Sequence, residues 1–283
     1  MAMPTLLPWR LRTKTLLPGR LPRLMGVVNV TPDSFSDGGR FYEPAAAVEH
    51  GLRLAAAGAD MLDIGGQSTR PGAAAVAAED ELRRVLPVVV ALRGQTETPL
   101  SIDTFSAKVA AECLAAGAEA INDITAFAGS DMAALAAESG CGVCAMHMQG
   151  TPQTMQRDPQ YGDVVEEVWT WLAARRDALA AAGIALDRIA LDPGIGFGKT
   201  VAHNLAVLNR LARYRASGCP IMVGLSRKAF IGRLIGDPAA DRTAGTIGAA
   251  LAAARQGVEV LRVHDVAAVQ QALVVFEAAG GLD

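Results

Sequence analysis

The sequence predicts an α/β fold, a (β/α)8 TIM barrel. Three observations carry that expectation. Helical stretches alternate with short β-branched runs at a period of about 30 residues, and such alternation demands parallel strands. Eight such units fit into about 260 residues, the usual size of this barrel. A polar group falls at the same end of every predicted strand, the end around which barrel active sites are built. An open doubly wound sheet would alternate in the same way, but it rarely needs eight regular units.

The eight runs are Met25–Asn29, Met61–Ile64, Leu100–Asp103, Glu119–Asn122, Gly142–Met146, Arg188–Asp192, Pro220–Gly224 and Val258–Arg262. Helical segments before six of them stop at Gly58, Gly117, Gly140, Gly183, Gly218 and Gly257. Glycine suits the left-handed position just past a helix end. The intervening segments carry apolar stripes of helical period: Val48, Leu52, Ala55 and Ala59; Leu82, Val85, Leu86 and Val89; Val165, Val168, Trp169 and Leu172; Val266, Val269, Leu273 and Phe276. Core packing explains these stripes. No composition shift marks a second domain, so residues 24–283 read as one barrel and residues 1–23 as an extension capping it. That extension holds Arg10, Arg12, Lys14, Arg20 and Arg23 and no acid, but Pro4, Pro8, Pro18 and Pro22 spoil an amphipathic transit helix. No long apolar segment follows, so a cytoplasmic protein is expected.

Composition narrows the function classes. The chain of 283 residues is 51% hydrophobic and 19% charged, which supplies a core and rules out disorder. A net charge of −3 and only 5% aromatics argue against a nucleic-acid surface. No apolar run reaches the roughly 20 residues of a membrane span. Cys113, Cys141, Cys144 and Cys219 form no secreted disulfide framework. Cys141 and Cys144 have C-x-x-C spacing but lack a second ligand pair, so they read as small residues entering a buried strand.

The polar strand ends are Asn29, Asp63, Asp103–Thr104, Asn122–Asp123, Met146–His147, Asp192, Ser226–Lys228 and Arg262–Asp265. Any one carboxylate, Asp63 or Asp123 for example, has a structural alternative: it could cap a helix or bond a loop amide. Taken as a set they mark one functional mouth. Asp103, Asn122 and Asp192 suit a flat heterocycle with N–H donors. Arg70, Lys228, Arg262 and His264 suit a phosphate or diphosphate. No His/Cys/Asp cluster has zinc spacing, and a magnesium ion held mainly by substrate oxygens fits better. Gly194–Thr200 nearly reads as a phosphate-binding P-loop. Pro193, without an N–H, stands where its first glycine should be, so that reading fails.

These motifs resemble the dihydropteroate synthase family: Asn29–Gly38, Gly65–Gly72, Ile102–Thr104, Ile121–Asp123, Met146–Gly150, Leu191–Gly194, Ser226–Lys228 and Arg262–Asp265, in order, from about residue 24 onwards. The resemblance implies condensation of 6-hydroxymethyl-7,8-dihydropterin diphosphate with 4-aminobenzoate. It also implies roles. Asp103, Asn122, Asp192 and Lys228 would hold the pterin, with Met146 beside its ring. Asn29, Arg70, Arg262 and His264 would hold the diphosphate, with Mg²⁺ at Asn29. Thr69, Pro71, Ser226 and Phe197 would shape the aminobenzoate pocket, with Phe35 nearby. Asp103, Lys228, Arg262 and His264 would be the catalytic set, in a homodimer that is a sulfonamide target. The sequence departs from the family at Gln67, where Glu is usual. Two rivals remain: a pterin-binding homologue without turnover, and a methyltetrahydrofolate-binding methyltransferase domain, which Ser68–Pro71 and Ser226–Lys228 disfavour.

Overall fold

The computed structural model describes residues 6–31, 44–69, 72–73 and 76–282. A short hairpin, β1 (Trp9–Arg10) and β2 (Thr15–Leu16), precedes the barrel. The barrel strands are β3 (Arg23–Asn29), β4 (Met61–Gly65), β5 (Leu100–Asp103), β6 (Ala120–Asp123), β7 (Gly142–Met146), β8 (Ile189–Asp192), β9 (Met222–Gly224) and β10 (Val260–Val263). The helices are α1 (Pro44–Ala56), α2 (Ala78–Arg93), α3 (Ala107–Ala115), α4 (Ser130–Ser139), α5 (Val164–Ala181), α6 (Val201–Asn209), α7 (Ala229–Leu234), α8 (Thr243–Arg255) and α9 (Val266–Ala278). All six helix-stop glycines have φ between +62° and +106°, a region that costs other residues a clash at Cβ.

The strands pair in parallel in the order β8-β7-β6-β5-β4-β3-β10-β9. Closure between β8 and β9 is thin: one bridge, Leu191 to Ile221, with Leu191 N–H donating to the Pro220 carbonyl at 2.9 Å. The cause is local. Pro220 has no N–H, and the Ile221 N–H donates instead to Glu259 Oε2 at 2.8 Å. The expected strand at Pro220 therefore starts only at Met222.

Alternation along each strand separates two cores. Val28, Ile64, Ile102, Ile121, Val143, Leu191, Val223 and Leu261 pack outward against the helices. Met25, Met61, Ala120, Cys144, Ala190, Met222 and Val260 face inward and meet Trp9 and Leu11. Thus the hairpin plugs the barrel floor. Trp9 Nε1 donates to the Arg188 carbonyl at 2.9 Å, and the Thr13 N–H to Glu119 at 2.7 Å. Gly142 makes room, since a Cβ there would lie 2.9 Å from Leu11 Cδ2. Trp9→Ala is expected to cost about 3–5 kcal/mol, as for other large buried aromatics; urea unfolding would show the loss. All four cysteines are buried and free. With the floor sealed, the opposite mouth is where ligands enter.

Candidate active site

A cavity of about 840 Å³ opens at the C-terminal ends of the strands. Asn29, Thr69, Asp103, Phe197, Ser226, Lys228, Arg262 and His264 line it. A second cavity of about 460 Å³ adjoins it across Gln67–Thr69, and Met146 lines that one. Met146 packs there with Ile124, Met155 and Phe197. Phe35, Arg70 and Pro71 lie outside the described residues.

The centre of the mouth is an ion cluster. Arg262 on β10 donates from Nε to Asp63 Oδ2 and from Nη2 to Asp103 Oδ2, both at 2.6 Å. Asn122 Nδ2 also donates to Asp63 Oδ2, at 3.0 Å. These contacts follow from register. Gly65 pairs with Asp103, and Asp103 with Asn122, so the inward side chains of Asp103 and Asn122 share one level. Asp63 lies one level deeper, because β4 runs two residues beyond it. Burial works against the charge on Arg262, but Asp63 and Asp103 outweigh it and hold the guanidinium charged more firmly than usual. Burial raises Asp103, Arg262 opposes the rise, and Asp63 adds to it.

Lys228 also lines the cavity, and buried Asp192 lies within electrostatic reach of it. Asp192 Oδ1 accepts from the Gly194 N–H at 2.7 Å, which aims the carboxylate. Burial raises its pKa, with the Gly194 N–H and Lys228 opposing. Lys228 Nζ sits 4.1 Å from the centre of the Phe197 ring, a cation–π contact. Burial and Arg262 draw Lys228 down to about 8, with Asp192 and Asp103 opposing. Arg227, at φ +57°, pairs with Asp265 at 2.7 Å, and both line the cavity. His264 Nδ1 and Ser226 Oγ lie 3.0 Å apart, so these two side chains orient one another.

Asp123 and His147 are strand-end residues that do not face the mouth. Asp123 turns outward, as period-two alternation after Asn122 requires, and accepts from the Thr125 and Phe127 N–H groups at 2.7 and 2.8 Å. It is the loop cap allowed for above, whereas Asp63 is not a cap at all. His147 turns outward from Met146 and meets Lys199. Asp63 is the main site residue that the sequence-derived set lacks. Its inward parity with Met61 and Gly65 was the available signal. His50 on α1 and Gln156 in the β7–α5 connection also line the cavity, and no local pattern announces either.

Among the described residues no group of three His, Cys, Asp or Glu is placed to hold a metal ion. The donor chemistry nevertheless fits a hard cation bound mainly through substrate oxygens: half-buried Asn29 ends β3 at the cavity with a neutral amide oxygen.

The comparisons with known proteins agree with this geometry. Residues 25–264 match the family described as pterin binding enzyme. The chain is 45% identical over 257 residues to the dihydropteroate synthase of Escherichia coli (strain K12), covering 91% of each. Among solved structures it is similar to Yersinia pestis dihydropteroate synthase in a sulfonamide drug complex, with a TM-score of 0.91, 42% identity, and 97% of this chain and 99% of that one covered. It is also similar to Xanthomonas albilineans dihydropteroate synthase in complex with 7,8-dihydropteroate, with a TM-score of 0.86, 45% identity, and 96% and 98% covered. The chain belongs to the pterin binding enzyme family, among its dihydropteroate synthases.

Proposed function

We propose that this protein joins 6-hydroxymethyl-7,8-dihydropterin diphosphate to 4-aminobenzoate, giving 7,8-dihydropteroate and diphosphate. The observation that carries the reading is that Asp103, Arg262 and Lys228 line one cavity, with buried Asp63 bonded to Arg262 and buried Asp192 within electrostatic reach of Lys228. Carboxylates there meet the N–H edge of a pterin, with Asn122 supplying an amide at the same level. Lys228 donates to a ring acceptor. Arg262 and His264, with Asn29 and Arg70, take the diphosphate. Ser226, Phe197 and Thr69, with Pro71 and Phe35, shape the arylamine site. Mg²⁺ held at Asn29 by substrate oxygens would neutralise charge on the leaving diphosphate.

The chemistry follows from this placement. The bond from the exocyclic carbon to oxygen breaks, and its electron pair leaves with diphosphate. Arg262 and His264 stabilise that developing charge. The carbon left behind is cation-like and conjugated to an electron-rich ring, and Asp103 faces it with negative charge. The neutral arylamine nitrogen bonds to that carbon and loses one proton. An arylamine needs no strong base, so the reaction requires no nucleophile–His–carboxylate triad.

No helix among the described residues is long and apolar enough to cross a membrane. Exposed Leu234 at the end of α7, Ile235 just past it, and Val274 and Val275 on α9 support a homodimer built through barrel helices.

A product assay tests the reading. With both substrates and Mg²⁺, dihydropteroate is expected to form, and chelation or Lys228→Met should stop it. Pterin binding without product would instead indicate the silent homologue, or the methyltransferase if methyltetrahydrofolate binds. Gln67 lines both cavities. Its swap for the usual acid is expected to matter little: Gln67→Glu should change kcat/KM by less than about tenfold.

A further inference from the structure

The P-loop-like segment Gly194–Thr200 holds a lysine that the proposed reaction does not use. Lys199 is only 1% exposed. Its Nζ donates to the Gly194 and Phe197 carbonyls at 3.0 and 3.1 Å, and lies 3.0 Å from His147 Nδ1. Burial and the charge of Lys199 lower His147 to about 3, so the imidazole is neutral and Nδ1 accepts. Burial draws Lys199 itself down to about 7, with Asp192 opposing; in its charged form its three N–H bonds have three acceptors, two in the β8–α6 loop and one at the end of β7. Burying an ammonium is costly unless each N–H is matched.

The loop it ties is tightly seated. Gly194 is at φ +68°, and a Cβ there would overlap the His147 carbonyl oxygen. Gly198 is at φ +60°, and a Cβ there would lie 2.6 Å from the Gln149 carbonyl oxygen. Between these glycines stands Phe197, whose ring covers Lys228. Tyr161, Gln156 and Asn204 bond Gly198 and Gly196 from the other side. Among the described residues Lys199 is the side chain that bonds both Gly194 and Phe197.

We propose that Lys199, with His147 as its acceptor, is a positioning residue that sets the Phe197 ring against the arylamine site. Lys199 borders the cavity, but its Nζ is turned onto the loop carbonyls, so it acts through the loop. The inference rests on the functional reading above, in which Phe197 helps shape that site. It gives the motif a purpose unlike a P-loop's: the lysine turns inward and holds its own loop, and no phosphate is involved.

The test is steady-state kinetics with calorimetric binding of the dihydropterin diphosphate. Lys199→Met keeps the buried stem and removes the ammonium. It is expected to raise KM for 4-aminobenzoate at least tenfold and to leave the Kd of the pterin substrate within about threefold. Phe197→Ala should reproduce that split. If Lys199→Met does not fold, His147 supplies the second test. His147→Asn, whose Oδ1 sits where Nδ1 does, should keep KM near wild type, and His147→Leu should raise it. Equal losses for both substrates, or an unchanged KM in both Lys199→Met and His147→Leu, would overturn the inference. Wild-type protein without product would instead sink the functional reading on which it rests.

Discussion

Arg262→Ala is expected to abolish turnover, by about a thousandfold or more, and to destabilise the fold by about 3–5 kcal/mol at neutral pH. Two consequences come from one side chain. Its guanidinium would hold the diphosphate, so binding of the diphosphate ester should weaken more than binding of the free pterin. It is also the counter-charge of Asp63, which is 0% exposed, and of Asp103 at 12%. Removing a cation from a buried cluster leaves carboxylates that neither water nor protein neutralises. The pH dependence has a definite sign. Burial already raises Asp103, and without Arg262 it rises further, so the folded variant binds more protons than the unfolded chain. Stability lost at neutral pH therefore returns as pH falls from the raised folded value towards the ordinary carboxylate value of about 4. Thermal unfolding of wild type and variant across that range measures it; a gap that widened on acidification would contradict the assignment.

Gly224→Val is expected to lose pterin affinity by on the order of a hundredfold, about 2.7 kcal/mol, while the thermal midpoint stays near wild type. Gly224 ends β9, and its backbone needs no left-handed conformation. A Cβ there would meet nothing closer than Arg262 Cδ and Asp192 Oδ2, both at 3.9 Å. The added methyls would stand in the cavity between the pterin-facing groups and displace ligand rather than core. Calorimetric titration with a pterin, beside a melting curve, separates the two effects. A large fall in melting temperature would mean that the space is structural.

Much of this was legible because barrel strands are buried on both faces and end abruptly in polarity. Glycine stops and β-branched runs located all eight strands within two residues, since a left-handed helix end and a buried strand both restrict residue choice. Depth was harder to read. Asp63 looked like a strand end because two glycines follow it, and glycine is silent about whether a strand continues. The structure carries β4 on to Gly65, and that extension turns Asp63 from a rim residue into a buried anchor. Asp123 shows the other outcome: it neighbours Asn122 in sequence, yet alternation sends it to the other face, where it is the loop cap that the sequence allowed for. His50 and Gln156 reach the cavity from a helix and a long connection, whose approach depends on tertiary packing.

The thin closure between β8 and β9 has a dynamic consequence. Seven of the eight strand junctions carry regular ladders, and the eighth rests on one bridge. Asp192 stands on one side of this seam and Lys228 follows the strand on the other. Opening there would separate these two residues of the pterin site without unravelling a ladder, so hydrogen exchange should be faster at Leu191 than at Val28 or Ile102. A bound pterin that bridges both sides would slow that exchange, acting as the clasp that the backbone lacks.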